Sequence, residues 1–219
     1  MTEILLKAEK LKKVFTAGKK SFAAVDEVSF ELKRGQCLGI VGESGSGKST
    51  VARLITGLLP CTEGKVLFYP SWEGTEAGCI DISQAGIRQL KQAYRHIQMV
   101  FQMPAESASR YPHQVSGGQC QRAAIARALA PEPELLICDE ATSALDVTVQ
   151  KQLMELLIKL RQKNGLSVIF ICHDLALVQM FCDRVIVMKQ GKIVETGTPE
   201  EIIWSPREEY TRNLIESVL

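Results

Sequence analysis

The stretch Gly42-Glu43-Ser44-Gly45-Ser46-Gly47-Lys48-Ser49-Thr50 constrains the rest of the chain more than any other. It follows the apolar run Cys37-Leu38-Gly39-Ile40-Val41 and precedes the helical pattern Val51-Ala52-Arg53-Leu54-Ile55. A strand, a glycine-rich loop and a helix in that order form the setting of a phosphate-binding loop. Glycines at 42, 45 and 47 let the backbone turn tightly and aim successive N–H groups inward, and the new helix adds the positive end of its dipole. An anion is expected there. Lys48 is placed to reach the β- and γ-phosphates of a nucleotide, and the Ser49 hydroxyl to take a position on Mg²⁺.

The chain has 219 residues and a net charge of +1, so no global basic field calls for nucleic acid or an anionic membrane surface. No apolar run is long enough to span a bilayer, and Met1-Thr2-Glu3-Ile4-Leu5-Leu6-Lys7 lacks a signal-peptide pattern, which predicts a protein that neither spans a membrane nor is exported. The seven cysteines form no C-x-x-C pair, and Cys37, Cys138 and Cys172 fall in strand-like runs. They read as small buried residues of a reducing cytosol.

From Leu5 to Leu32 the pattern is β-like and antiparallel, with Val28-Ser29-Phe30-Glu31-Leu32 alternating before the Arg34-Gly35 turn. Phe15 lies upstream of the loop, where an aromatic face could stack on a base, a core or hairpin phenylalanine being the other reading; Phe22 is the next choice for stacking. A helix running on through Leu58-Leu59 to Pro60 is expected after the loop, then a strand at Gly64–Tyr69, a turn-rich, variable surface hairpin from Pro70 to Gly78, a helix at Ile87–Arg95 and a strand at Ile97–Phe101. Gln102 stands at that strand's end, the position that lines the crevice of an open α/β sheet, where it would face Mg²⁺ and an attacking water. Ser116-Gly117-Gly118-Gln119 opens a helix and offers a second anion site. Leu135-Leu136-Ile137-Cys138 delivers Asp139 and Glu140 to the same edge. Asp139 is the expected Mg²⁺ partner, and Glu140 the base that polarises water at the γ-phosphate. A helix from Val147 to Lys163 follows Ser143-Ala144-Leu145-Asp146, and the strand Ser167–Cys172 brings His173 to the edge, where it would steady the water. Strands at Arg184–Met188 and Lys192–Glu195 and two short helices around Glu200–Trp204 and Pro206–Val218 complete the expected order.

Gly42–Thr50, Val100-Phe101-Gln102, Val115-Ser116-Gly117-Gly118-Gln119, Leu135–Glu140, Ser143–Asp146 and Cys172-His173-Asp174, in this order, resemble the nucleotide-binding subunit of an ABC transporter. Ala24–Phe30, Arg110–Gln114 and Glu209-Tyr210-Thr211-Arg212 are similar to the dipeptide, oligopeptide and nickel importer group. The resemblance implies an α/β fold of the P-loop NTPase kind, with a mostly parallel central sheet flanked by helices and an N-terminal antiparallel region. It implies ATP and Mg²⁺ as ligands, hydrolysis of ATP coupled to transport of peptides or nickel, and a place at the inner face of the cell membrane. Implied partners are integral membrane permeases, a second ATP-binding subunit, identical or not, and indirectly a periplasmic or extracellular solute-binding protein. In the dimer, the Ser116-Gly117-Gly118-Gln119 edge of one subunit closes over ATP held by the other, with Asp146 among the nucleotide contacts. A soluble ATPase of DNA repair or chromosome maintenance is the alternative, but the heptads or paired cysteines of such proteins do not appear.

Two departures stand out. Met103-Pro104 follows Gln102 where members of the family usually have Asp or a similar residue, and only 14 positions separate Gln102 from Ser116, where the family places a helical subdomain of several dozen residues. Fourteen extended residues span at most about 46 Å, enough to join two edges but not to build three helices. The expectation is a single nucleotide-binding domain over 1–219 with a seam near Ser107-Ala108. A binding-only module is the further alternative that such a gap raises, since the family docks on its membrane subunits through that subdomain.

Overall fold

Strands β3 (Cys37–Val41), β7 (Leu135–Asp139) and β8 (Ser167–Ile171) are buried at all five of their positions, which is why each reads as a continuous apolar run rather than an alternation. The computed structural model describes residues 3–18, 20–71, 78–101, 117–141 and 147–217. With β6 (Ile97–Val100), β9 (Arg184–Lys189) and β10 (Lys192–Gly197), these strands form a six-stranded sheet in the order β10-β9-β3-β8-β7-β6. All neighbours are parallel except β9 and β10, which are joined through Gln190 (φ 48°) and Gly191 (φ 80°). Two successive positive φ values suit a tight hairpin turn. The register pairs Val100 with Cys138, Asp139 with Ile171 and Ile40 with Ile171. The carboxyl ends of β6, β7, β8 and β3 therefore share one edge, and the residues that follow them meet there.

A second sheet, in the order β2-β1-β4-β5, is antiparallel. It consists of β1 (Ile4–Ala17), β2 (Lys20–Lys33), β4 (Glu63–Phe68) and β5 (Ile80–Asp81). The long β1–β2 pair carries register shifts near Lys10 (φ 46°) and Glu27 (φ 54°), bulges that increase its twist.

Alternation along each central strand divides the core into two layers. Leu38, Ile40, Ile137, Ile169 and Ile171 face the antiparallel sheet and helix α1 (Lys48–Ile55), meeting Leu5, Leu11, Val25, Val51 and Ile55. Cys37, Leu136, Cys138, Val168 and Phe170 face the other way, toward helices α3 (Gly117–Leu129), α4 (Val147–Asn164) and α5 (Leu175–Phe181). Helix α2 (Ile87–His96) leads into β6, and α6 (Pro199–Trp204) and α7 (Glu209–Glu216) follow β10.

Phe170 is fully buried and meets Phe181 edge to face, with centroids 5.7 Å apart at 77°. Phe170→Ala empties this contact between β8 and α5, and is expected to cost about 3–5 kcal/mol. A lowered urea midpoint at unchanged m-value is the measurement that checks it.

Three expectations change. Helix α1 stops at Ile55, not at Leu58-Leu59, because Thr56 caps it and Gly57 turns left-handed at φ 70°. Helix α5 was not expected: Asp174 caps it, its Oδ1 accepting from the N–H groups of Ala176 at 2.9 Å and Leu177 at 3.3 Å. The hairpin expected over Pro70–Gly78 included no returning strand; the structure supplies the two-residue β5, which exists through its pairing with β4. The seam at 107–108 lies outside the described residues.

Candidate functional site

The loop after β3 needs glycine for two separate reasons. Gly42 (φ 147°) and Gly47 (φ 103°) leave no room: a Cβ would lie 2.2 Å from the Met188 carbonyl oxygen at 42 and 2.4 Å from that of Ala24 at 47. Gly45 (φ 80°) stands in open space, so only its left-handed backbone demands glycine. Gly47 is the N-cap of α1, and no side chain caps that end. The positive end of α1 thus opens onto the loop, as an anion site requires.

Lys48 is buried, and its ammonium bridges the loop from inside, donating to the carbonyls of Gly42 at 2.8 Å and Glu43 at 2.7 Å, with Ser46 Oγ at 3.4 Å. Burial pushes its pKa down, and the charges of Glu140 and Asp139 oppose that shift. The Ser49 hydroxyl donates to Asp139 Oδ1 at 2.9 Å, joining the start of α1 to the end of β7. Burial raises the Asp139 pKa; the Ser49 hydrogen bond lowers it, and the neighbouring Glu140 charge adds to the rise. Glu140 itself has φ 50°, a costly conformation for a residue with a side chain, and its N–H is held by the Ile171 carbonyl at 3.0 Å.

These groups open into a cavity of about 420 Å³ lined by Phe15, Phe22, Ala24, Ser44, Gly45, Gly47, Lys48, Ser49, Thr50 and Glu140. Phe15 and Phe22 are cross-strand partners on β1 and β2, 44% and 61% exposed, and form an apolar end to a cavity whose other end is polar. Larger concavities of about 750 and 810 Å³ lie along the charged face of the antiparallel sheet and below the parallel sheet, and neither includes a phosphate-loop residue.

The structure therefore gathers Phe15, Ser44, Gly45, Gly47, Lys48, Ser49, Thr50 and Glu140 around one space, with Asp139 attached through Ser49. Gly42, Glu43 and Ser46 shape the loop from behind and are not among the lining residues. His173 is exposed two residues beyond Ile171, on the same sheet edge, also outside the lining. Gly117 and Gly118 begin α3, and Gln119 is exposed there. Gln102, Ser116 and Asp146 lie outside the described residues. Sequence reasoning placed Tyr210 in a stretch similar to the importer group but gave it no part in the site; its hydroxyl accepts from the Glu43 N–H at 3.1 Å.

The donor set fits a triphosphate with Mg²⁺. Among the described residues no group of three carboxylate, imidazole or thiol side chains could hold a metal alone. One hydroxyl beside one carboxylate is a partial set that Mg²⁺ would complete with phosphate oxygens and water. Among the same residues no helix is long and apolar enough to cross a membrane.

A family profile described as ABC transporter matches residues 25–143. Over 94% of its length the chain is 38% identical to the oligopeptide transport ATP-binding protein OppF of Haemophilus influenzae, covering 73% of that protein. It is 36% identical to OppF of Bacillus subtilis, with 100% of this chain and 83% of the relative covered. That alignment runs over 262 positions, 43 more than the 219 residues of this chain, so the relative carries residues where this chain has none. A dimeric ATP-binding cassette in a post-hydrolysis state, bound to ADP and Pi, matches with a TM-score of 0.76 at 28% identity, covering 89% of this chain and 99% of that one. A glycine loop closed by a buried lysine, a serine–aspartate pair at its root and these matches along nearly the whole sequence lead to one conclusion: the chain belongs to the ABC transporter family.

Proposed function

We propose that this chain is the ATP-binding and ATP-hydrolysing subunit of an importer for peptides, acting from the cytoplasmic face of the membrane. The observation that carries the reading is the convergence of Lys48, Ser49 with Asp139, and Glu140 at the polar end of one cavity whose other end is aromatic. A nucleotide has that same polarity. Its base would stack on Phe15, with Phe22 beside it, and its phosphates would meet the amides of Ser44 to Thr50 at the start of α1. Lys48 would exchange the carbonyls of Gly42 and Glu43 for β- and γ-phosphate oxygens. Mg²⁺ would be held by the Ser49 hydroxyl and the Asp139 carboxylate, and would neutralise charge on those phosphates.

Glu140 takes a proton from water as the water's oxygen attacks the γ-phosphorus, and the bond to the ADP oxygen breaks to leave ADP and Pi. His173, just past the end of β8, would orient that water, and the family resemblance gives Gln102 the same task. A second ATP-binding subunit completes the site with its Ser116-Gly117-Gly118-Gln119 edge, and Asp146 belongs to the same contact. The names of the relatives support peptides over nickel as cargo. Membership of the ABC transporter family supports integral permeases as direct partners, and a solute-binding protein acting through them belongs to the same proposal. In this reading residues 1–219 are one nucleotide-binding domain with a seam near Ser107-Ala108; the 43 extra positions in the alignment with the Bacillus subtilis relative support a missing stretch but do not locate it.

Two assays test the reading. The purified chain is expected to release phosphate from ATP only with Mg²⁺ present, and cells lacking its gene to lose uptake of labelled oligopeptides while keeping nickel uptake. Loss of nickel uptake alone would reassign the cargo, and absence of any nucleotide binding would reject the enzyme.

A further inference from the structure

The peptide unit of Glu43 is held from both sides. Its carbonyl accepts from the Lys48 ammonium at 2.7 Å, and its N–H donates to the Tyr210 hydroxyl at 3.1 Å. Lys48 must release that carbonyl to reach a phosphate, whereas Tyr210 has no such second task. The tyrosine is itself fixed. Its ring lies under the Lys189 ammonium, 4.6 Å from the centroid, and packs on the core layer beneath α7. The turn before α7 is tied down by the Glu195 carboxylate, which accepts from the N–H groups of Arg207 at 2.9 Å and Glu208 at 3.3 Å. Beside it, the Gly191 N–H donates to the Ser46 carbonyl at 2.9 Å, and the Met188 backbone abuts Gly42. The outer wall of the phosphate loop is therefore built from β9, the turn to β10, and α7.

We infer that Tyr210 is a positioning residue for nucleotide binding: it ties the Glu43 amide to the C-terminal helix and keeps the loop arched when Lys48 turns from the loop carbonyls to phosphate. The amide of Glu43 is thereby withheld from the phosphate cradle, and the loop needs less ordering when ATP enters. This rests on the ATP reading of the site given above.

Tyr210→Phe removes the hydroxyl and keeps the ring under Lys189. The expected result is a KM and Kd for ATP raised roughly three- to ten-fold, the size of one net hydrogen bond, with kcat at saturating ATP and the melting temperature without nucleotide unchanged. Hydrogen exchange at the Glu43 amide is expected to speed up in the same variant. Lys189→Met, which removes the cation over the ring, is expected to shift KM in the same direction by a smaller factor. A Tyr210→Phe protein with wild-type KM and wild-type exchange at Glu43 overturns the inference, as does one whose kcat and melting temperature fall with KM unmoved, because the role would then be structural. Failure of the wild-type protein to bind ATP would reject the function proposed above, and exchange at Glu43 would still report whether the tether exists.

Discussion

Replacement of Glu140 by Gln is expected to lower ATP turnover by roughly 10²–10⁴-fold, the range that a general base contributes, while ATP remains bound at least as tightly. Glutamine has the size of glutamate and suffers the same left-handed backbone at φ 50°, so the clamp from the Ile171 carbonyl should hold it in place. What it lacks is a basic oxygen to take the proton from water. Affinity should not fall, because Glu140 is the largest of the negative charges that act on Lys48. Removing it leaves more positive potential for a triphosphate. The site then fills and does not turn over, which favours the closed two-subunit state. Phosphate release measured beside equilibrium binding checks both halves of the prediction. Unchanged turnover would take Glu140 out of the reaction and leave Asp139 or His173 to explain it.

The parts of this site that were legible in the sequence are those whose determinants are local. β3, β7 and β8 are buried on both faces, so their apolar runs announced strands, and the residues after each run were assigned to one edge correctly because parallel neighbours end together. The glycine positions were legible because the positive φ at 42, 45 and 47 belongs to the loop, although the lack of room at 42 and 47 comes from Met188 and Ala24, which lie outside it. Contacts made by distant segments were not. Glu43 and Tyr210 are 167 positions apart, and nothing near either residue encodes the other. The same holds for the ion pair of Arg34 with Glu134 at 2.6 Å, across 100 positions, which ties the turn before β3 to the entry of β7. Helix α5 was missed although the shorter α6 was expected, because α6 opens with a Thr198–Glu201 capping box and Pro199 in its first turn, and α5 has neither. Its start depends on the Asp174 cap, which matters only once β8 has ended at Ile171.

Lys48→Met is expected to abolish ATP binding while leaving the protein folded, a pairing of outcomes that follows from what surrounds the ammonium. Two charge-assisted hydrogen bonds to phosphate, each worth about 1.5–3 kcal/mol, correspond to a loss of at least roughly a hundred-fold in affinity. Stability without nucleotide should move much less, because two effects oppose each other there. The carbonyls of Gly42 and Glu43 lose a donor. The chain also no longer buries a charge: burial depresses the folded-state pKa of Lys48, so its protonated form is the one that the fold disfavours below that pKa. A methionine of similar length fills the same space without that penalty. Thermal denaturation separates the two outcomes. For the wild-type protein, ATP with Mg²⁺ at a hundred times Kd should add about 2.7 kcal/mol to stability and raise the melting temperature accordingly. For Lys48→Met the same addition should leave the melting temperature where it was, within a few degrees of the wild-type value without nucleotide. A variant that still gains stability from ATP would move the phosphate site away from this loop, and with it the roles given to Ser49, Asp139 and Glu140.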